Sequence, residues 1–221
     1  MLSKISKILK INSGQPKLAV LKSISNERFK LLDIGCGNNS CKYIKSVFPY
    51  CYYAGVDKYD GYNTDQESIM LQDAFYKIDL EHDGLHEIPD NNFDVVLVVH
   101  VIEHLLKGND IIQAAVKKLK PGGIIYIEWP HERSISFPSM RDTLNFFDDD
   151  THVRIWSMQE VCNILLKAGL KIQKAGTRRN WRYILLSIIL IPYRSIRRQY
   201  VSAADIWDHL GFAQFVIGVK R

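Results

Sequence analysis

The sequence predicts an α/β fold with a doubly wound, mostly parallel sheet and helices on both faces. Short apolar runs alternate with helical patterns along the chain, which is typical of parallel strands joined by crossover helices. No internal repeat or low-complexity tract interrupts this alternation. The 221 residues, 47% of them hydrophobic, can bury one sizeable core but are few for two independent domains. We therefore expect a single domain with insertions.

Seven apolar runs are predicted to be strands, because each is short and bounded by turn residues or by a helical pattern. They are Phe29–Ile34, Tyr52–Val56, Ala74–Ile78, Phe93–Val99, Ile124–Glu128, Leu170–Gln173 and Phe212–Val219. Helical signals follow the first, fourth and fifth strands, at Ser40–Phe48, Asp110–Leu119 and Ser157–Ala168. In the last of these segments, Ser157 and Glu160 have the spacing of a capping box, and Gly169 is a C-terminal stop signal.

Charge and cysteine content restrict the environment of the protein. The formal net charge of +5 conceals basic ends, before Lys30 and after Lys171, and an acidic centre, so the ends would contact anionic surfaces. No stretch reaches the roughly 18 to 20 apolar residues that span a bilayer, and the N-terminus lacks the apolar core of a secretory signal. We therefore expect a cytoplasmic location. The four cysteines show no zinc or CxxC spacing and are predicted to be reduced thiols: Cys36, Cys41, Cys51 and Cys162.

A glycine-rich turn marks the first candidate ligand site. In LLDIGCGNNS, a buried strand ends at Gly35-Cys36-Gly37 and leads directly into a helix, so free backbone N–H groups can bind an anionic group. Asp57 stands at the end of the second strand, about 20 residues further on, where a carboxylate accepts both hydroxyls of a ribose. After the third strand, Asp79 can accept from an adenine amino group, although capping of a helix is an equally good explanation of that residue.

Four segments together resemble the class I S-adenosylmethionine-dependent methyltransferases, and most of all their small-molecule branch. They are LLDIGCGNNS, YAGVDKYD, IPDNNFDVVLVVHVIEHL and LKPGGIIYIEWP, in this order and spacing. The resemblance covers roughly residues 29–173. It implies a seven-stranded sheet whose last strand, Phe212–Val219, runs antiparallel, with S-adenosylmethionine bound across the first strands.

The resemblance also assigns the cofactor contacts. It places Asp33, Gly35, Cys36 and Gly37 at the methionine end, Asp57 at the ribose with Lys58 beside it, Asp79 and Leu80 at the adenine, and His100 and Val101 at the far wall. Where the family often has a third glycine, this chain has Asn39, the residue that best tolerates left-handed backbone angles after glycine. A nicotinamide cofactor is disfavoured because the third glycine of a dinucleotide fingerprint is Ser40 here.

Three histidines are candidate catalytic residues. Methyl transfer is an in-line displacement that needs alignment, exclusion of water and, for a hydroxyl acceptor, a base. His104, His131 and His152 all follow predicted strands or precede the capped helix, so they should lie near the carboxyl edge of the sheet. For His104, a structural role in the loop after the fourth strand is favoured over catalysis, and His131 and His152 are the better candidates for contact with the acceptor.

The segment DTHVRIW resembles the H-x-x-x-W stretch of metal-assisted methyltransferases, in which a Glu-x-x-Glu-His set and a later His bind one ion. Here His100 replaces the first Glu, which leaves His100, Glu103, His104 and His152 as a chemically reasonable zinc set. Because the same pattern occurs without a metal, we assign no metal ligand from the sequence.

The acceptor is predicted to be a small molecule. The tetrapeptide N-P-P-[YF] after strand four, which holds amines of DNA bases or glutamine amides, is absent, as is a Pro-Cys nucleophile. We expect a hydroxyl or similar acceptor, with a glycan or lipid-linked intermediate as one option. The alternatives are an RNA methyltransferase that uses the basic termini and a catalytically silent subunit that binds S-adenosylmethionine. Of these, nucleic acid is disfavoured.

Three segments outside the sheet are predicted to cover the cleft. Residues 1–28 form a helical cap, which begins with the basic amphipathic pattern MLSKISKILK. Residues 129–156 and 175–210 are insertions that form a substrate lid. Within the second insertion, Tyr183–Pro192 is almost wholly apolar and flanked by arginines. This run either packs on the core as part of the lid or, with the rest of 181–198, lies on the inner face of the membrane.

Overall fold

The computed structural model describes residues 16–24, 28–58, 68 and 70–221 and contains the predicted seven-stranded sheet. The strand order is β3-β2-β1-β4-β5-β7-β6, and β7 runs antiparallel to both of its neighbours while the other pairs are parallel. The strands are β1 Lys30–Ile34, β2 Tyr52–Asp57, β3 Ala74–Lys77, β4 Phe93–Val99, β5 Leu119–Pro130, β6 Leu170–Thr177 and β7 Ala213–Lys220. The predicted fold class and the antiparallel last strand are thereby confirmed.

Six α-helices flank this sheet in the described part of the chain. They are α1 Pro16–Ile24, α2 Ser40–Val47, α3 Gly108–Lys118, α4 Met158–Lys167, α5 Trp181–Arg198 and α6 Ala203–Leu210. The capping box at Ser157 and Glu160 is present at the start of α4, as predicted. Among the described residues, no helix is long and apolar enough to cross a membrane.

Both faces of the sheet are buried, which explains why Leu31, Leu32 and Ile34 of β1 are apolar although neighbouring positions of a strand point to opposite faces. Leu32 and Ile34 pack in a core shared with α3 and α4, whereas Leu31 packs on the opposite face with α1 and α2. The chain order reverses at β1, whose neighbours are β2 and β4. Open α/β sheets bind ligands in the crevice at such a reversal, outside the carboxyl ends of the strands. The glycine turn after β1 and the loop after β4 both lie there.

Several boundaries differ from the prediction. Strand β6 continues to Thr177 rather than ending at Gln173, because the polar residues after Gln173 still pair with β7 across a register shift. Helices α5 and α6 were not predicted as helices, since apolar runs and clustered arginines hid their periodicity. The amphipathic pattern at 1–10 lies outside the described residues. All four cysteines are free thiols, as predicted.

The two predicted insertions pack against each other. A third, small core joins them through Leu144, Ala203, Phe212 and Ala213. The indole N–H of Trp207 in α6 also donates to the Thr143 carbonyl at 2.8 Å. The loop after β5 and the helices after β6 therefore form one layer beside the carboxyl edge of the sheet, and their role as a lid remains a prediction.

Candidate active site

The turn after β1 has the left-handed backbone that its sequence predicts. Gly35, Gly37 and Asn39 have φ angles of 69°, 48° and 60°, so Asn39 adopts the conformation expected of it. A Cβ on Gly35 would lie 2.3 Å from Cγ2 of Val101, which is closer than two non-bonded carbons can approach. The loop after β4 thus presses on the glycine turn, and only glycine fits at position 35.

The Asp57 carboxylate lies beside this turn. Its Oδ2 accepts from the Gly37 N–H and its Oδ1 from the Lys58 N–H, both at 2.8 Å. These bonds use two of the roughly four acceptor positions of a carboxylate. Asp57 therefore keeps acceptor capacity for a ligand hydroxyl, in the position where the sequence predicts the ribose.

Asp79 is tied to the same region by Lys58. The Lys58 ammonium lies 2.9 Å from Asp79 Oδ2, and its hydrogen bond is the main cause that lowers the pKa of that carboxyl. Asp79 Oδ1 also accepts from the Glu81 N–H at 3.1 Å, which stabilises a turn, and in the described chain no helix follows for Asp79 to cap. Leu80 packs against the main core.

Two residues assigned to the methionine end direct their side chains into the protein. Asp33 is 3% exposed, and its Oδ2 accepts from the Ser40 and Tyr53 hydroxyls at 2.5 and 2.6 Å. Burial raises the pKa of this carboxyl. Burial likewise raises the pKa of the Cys36 thiol, which packs on the face of α1 and α2. Asp33 thus braces the turn from within, and Cys36 presents its backbone to the cleft.

His100 begins the loop after β4 and is held by two carboxylates. Its φ of 54° is unusual for a residue other than glycine. Its Nδ1 lies 3.1 Å from Glu103 Oε1, and its Nε2 lies 3.3 Å from Glu128 Oε1. Burial disfavours the charged ring, but the two carboxylates outweigh burial and raise the pKa of His100 to about 9. His100 is therefore a cation at neutral pH.

Glu128 is the centre of this network, and sequence reasoning missed it. Burial alone would raise its pKa, but the Arg178 guanidinium and His100 lower it to about 2. Arg178 Nη1 donates to Glu128 Oε1 at 3.1 Å, and the Tyr126 hydroxyl donates to Oε2. A charged residue inside the apolar run IIYIEWP was the signal that could have identified Glu128. The contact with Arg178 had no signal, since 50 residues separate the two.

A cavity of about 190 Å³ lies next to His100. It is lined by His100, Glu103, His104, Asp142, Thr143, Asp149, His152, Trp207 and Phe212. Two of the three predicted catalytic histidines, His104 and His152, therefore lie together here, joined by His100. His131 is not among the lining residues. Its N–H donates to the Phe212 carbonyl at 2.6 Å, its Nδ1 accepts from the Arg133 N–H, and burial lowers its pKa.

His104 and His152 are oriented alike. Nδ1 of His104 lies 2.9 Å from the Thr151 hydroxyl, which donates onward to Asp149, and Nδ1 of His152 lies 2.6 Å from the Phe146 carbonyl. Each Nδ1 is therefore placed to donate, which leaves Nε2 of the neutral ring as an acceptor, and Nε2 of His152 also lies 3.8 Å from Asp149 Oδ2. The ring centroids are 4.8 Å apart. The cavity thus contains two imidazoles that can accept a proton.

The segment around His152 is anchored by its own backbone and by Trp156. The Val153 and Arg154 N–H groups both donate to the Glu103 carbonyl, at 2.9 and 3.1 Å. The buried Trp156 indole donates to the Ile102 carbonyl at 2.9 Å. These bonds explain why a tryptophan follows the histidine by four residues: it fixes His152 against the loop that carries His104.

Comparison with known proteins decides the family. Residues 4–175 match the family model described as a methyltransferase domain. The chain belongs to this family. A segment of 117 residues is 32% identical to a probable S-adenosylmethionine-dependent methyltransferase of Mycolicibacterium smegmatis and covers 51% of this chain and 43% of that protein. The domain is therefore a class I methyltransferase domain, and its cofactor is S-adenosylmethionine.

Solved structures share the fold of this methyltransferase. An S-adenosylmethionine-dependent methyltransferase from Archaeoglobus fulgidus superimposes with a TM-score of 0.59 at 19% identity, over 97% of this chain and 94% of that one. A chain from the Haloferax volcanii complex of a methyltransferase with its activator Trm112 gives 0.62 at 16% identity, over 87% and 83%. At such identities the likeness shows the fold alone.

The donor set of the methyltransferase cavity fits a divalent cation. One ligand atom each of Glu103, His104 and His152 lies within 4.8 Å of the others. Glu103 is 1% exposed, and its Oε2 is buried without a hydrogen-bond partner. An unpaired buried carboxylate oxygen is costly unless a cation completes it. The sequence had left His100 in this set, but the structure turns both of its nitrogens toward carboxylates, so three ligands remain.

Proposed function

We propose that this protein transfers the methyl group of S-adenosylmethionine to a hydroxyl or similar acceptor of a small molecule that binds in the cavity of His100, His104 and His152. The observation that carries the proposal is the contact between Val101 and Gly35. It joins the glycine turn, which would hold the methionine end, directly to the loop that begins the cavity. A methyl donor and an acceptor on opposite sides of this contact would be close neighbours.

In this proposal the cofactor contacts follow the sequence prediction. The glycine turn would lie along the methionine end of the cofactor, Asp57 would accept from the ribose, and Asp79 and Leu80 would flank the adenine. Lys58 positions Asp79, and Val101 forms the wall between cofactor and acceptor. His100 is assigned to the acceptor side instead, since its ring lines the cavity.

The acceptor proton would pass to His104 or His152. Both rings hold their own proton on Nδ1 and keep Nε2 as a base, as general-base catalysis requires. The charged His100 cannot accept a proton. It would instead attract electron density on the acceptor oxygen as the proton leaves. The stacked Trp207 and Phe212 rings would exclude water from one side of the cavity.

A resident divalent cation is a second element of the proposal, supported by the unpartnered Glu103 Oε2. Because the ion would be bound by His104 and His152, it would replace these two histidines as the group that makes an acceptor hydroxyl more acidic, by acting as a Lewis acid. Titration of the protein with Co²⁺, followed by calorimetry and visible absorption, tests this independently of activity. We expect His152→Ala to abolish binding and His131→Ala, outside the cavity, to preserve it. Equal binding by both variants would remove the cation from the proposal.

The first experiment is calorimetry with S-adenosylhomocysteine and with NADH. We expect micromolar binding of the first ligand only, and loss of most of that affinity in Asp57→Ala. Asp94→Ala is the matched control, because Asp94 stands near the start of β4, at the opposite edge of the sheet. If neither ligand binds, the cofactor assignment fails for the full chain.

A methylation screen of small-molecule pools then addresses the acceptor. Binding without turnover on any pool, with or without added divalent cation, would favour a silent cofactor-binding subunit. Steeply salt-dependent binding to RNA, with methyl transfer to it, would favour the RNA alternative. The Haloferax relative assembles with an activator, so the screen is repeated in cell extract, where a missing partner would be supplied.

A further inference from the structure

Helix α5 presents an apolar face to solvent along its whole length. Leu185, Ile188 and Ile196 are 73%, 78% and 79% exposed, and Trp181 and Ile189 are exposed nearly as much. Their successive separations of four, three, one and seven residues place them on one side of an 18-residue helix, which is about 27 Å long. Soluble proteins rarely expose a continuous apolar surface of this length, and one that they do expose generally marks an interaction site.

The opposite face of α5 is polar and binds the helix to α6. Ser187 is buried, with its hydroxyl 2.8 Å from Nε2 of His209. Arg194 and Arg198 both pair with the buried Asp205, at 2.8 and 3.0 Å. The helix is thus reversed relative to an ordinary surface helix, since its polar residues face the protein. The interpretation that this apolar run packs on the core therefore fails for the exposed face.

The charge of the surrounding chain indicates what covers this face. From Val161 to Ala204 the sequence has nine basic residues and no acidic one. The basic residues are Lys167, Lys171, Lys174, Arg178, Arg179, Arg182, Arg194, Arg197 and Arg198. Among them, Arg182 and Arg197 are exposed near the two ends of the apolar face. A surface that is apolar at its centre and basic around it complements anionic lipid.

We propose that α5 lies in the plane of a bilayer that contains anionic phospholipid, with its apolar face in the boundary between headgroups and acyl chains. The exposed Trp181 and the partly exposed Tyr193 stand where aromatic side chains anchor interfacial helices. Helix α5 is not long and apolar enough to cross the bilayer, which fits a helix that lies on the surface. The proposal does not depend on the cofactor or on the acceptor.

Co-sedimentation of the full chain with vesicles tests the proposal. We expect binding to vesicles of mixed phosphatidylcholine and phosphatidylglycerol, and much weaker binding to phosphatidylcholine alone. The double substitution Ile188→Glu with Ile196→Glu should lower the partition coefficient by two to three orders of magnitude, because about 2 kcal/mol is lost for each of the two buried side chains. Arg197→Gln should lower it about fivefold, at ~1 kcal/mol per basic residue.

The matched control is Leu166→Glu, which places the same new charge on an exposed leucine of α4. It should bind vesicles like the unchanged protein. Thermal unfolding and S-adenosylhomocysteine affinity should be unaltered in all variants, which separates a failure of this proposal from a failure of the cofactor site. Equal vesicle binding by the double variant would overturn the proposal. The proposal would also be overturned if the protein did not bind anionic vesicles. One such outcome is that the apolar face of α5 mediates self-association, which the double variant would abolish.

Discussion

The crevice at the reversal of strand order is formed by backbone groups on one side and by charged side chains on the other. On the β1 and β2 side, backbone groups and glycine conformations form the site, with Asp57 as the nearest carboxylate. On the β4 and β5 side, the site consists of side chains: His100, Glu103 and Glu128 in one charged network with Arg178. A backbone site is set by a few adjacent residues, whereas a side-chain site needs distant segments to meet. The backbone site can therefore keep binding the same ligand while the side-chain site changes its specificity.

The largest expected effect is the loss of stability on substitution of Glu128. Glu128→Gln keeps the shape but leaves the buried Arg178 and His100 without their shared anion, so the free energy of unfolding should fall by about 3–5 kcal/mol. Urea unfolding measures it. Glu87→Gln, at an exposed position, should change stability by less than 0.5 kcal/mol. If the free energy of unfolding fell as little in Glu128→Gln as in Glu87→Gln, the stability of the acceptor side would not depend on its buried charges.

The next effect concerns the backbone side. Gly35→Ala adds a Cβ at a left-handed φ and against Val101, so the affinity for S-adenosylhomocysteine should fall on the order of 100-fold. Gly176→Ala is the control, because nothing lies within 4 Å of a Cβ at that position of β6. Calorimetry compares the two variants. An unchanged affinity in Gly35→Ala would show that this turn does not approach the cofactor.

The same contrast explains which features the sequence could predict. The positions of the seven strands, the glycine turn and the left-handed Asn39 follow from local patterns, because neighbouring residues determine them. The sequence predicted that His104 and His152 lie at the same edge of the sheet, but not that their rings are in contact. The hydrogen bond from the Val153 N–H to the Glu103 carbonyl had no local signal in the sequence. The sequence left the placement of residues 181–198 open between the core and a membrane, because an apolar run alone does not show which of its residues are exposed.

The smallest effect concerns the loop that covers the cavity. Asp148 accepts from the Met140, Leu144 and Asn145 N–H groups at 2.8–3.0 Å and from the Ser139 hydroxyl. Asp148→Asn should cost about 1 kcal/mol, as the loss of a capping residue does. Hydrogen exchange of the loop amides detects it. The affinity for S-adenosylhomocysteine should stay unchanged, since the loop lies on the acceptor side, and a parallel loss of cofactor affinity would break the division into two sides.

The stability from Asp148 should also depend on pH. Burial alone would raise the pKa of this carboxyl, but its hydrogen bonds lower it to about 2, below the ordinary 3.8. A depressed folded-state pKa stabilises the protein above pH 4, and that contribution is lost as the pH falls from about 4 to about 2. Thermal unfolding across this range should therefore converge for the original protein and Asp148→Asn. Curves that stay parallel would contradict this account.

The position of β7 has a consequence for the order of folding. Strand β7, the last in chain order, lies between β5 and β6, so every sheet contact of β6 waits for residues 213–220. Until they are available, β5 and β6 are two open edges whose unpaired backbone can recruit other chains. A nascent chain of this protein is thus most prone to aggregate when all but its final strand has been synthesised. The pairing of β7 with both β5 and β6 is therefore the step that closes these two edges.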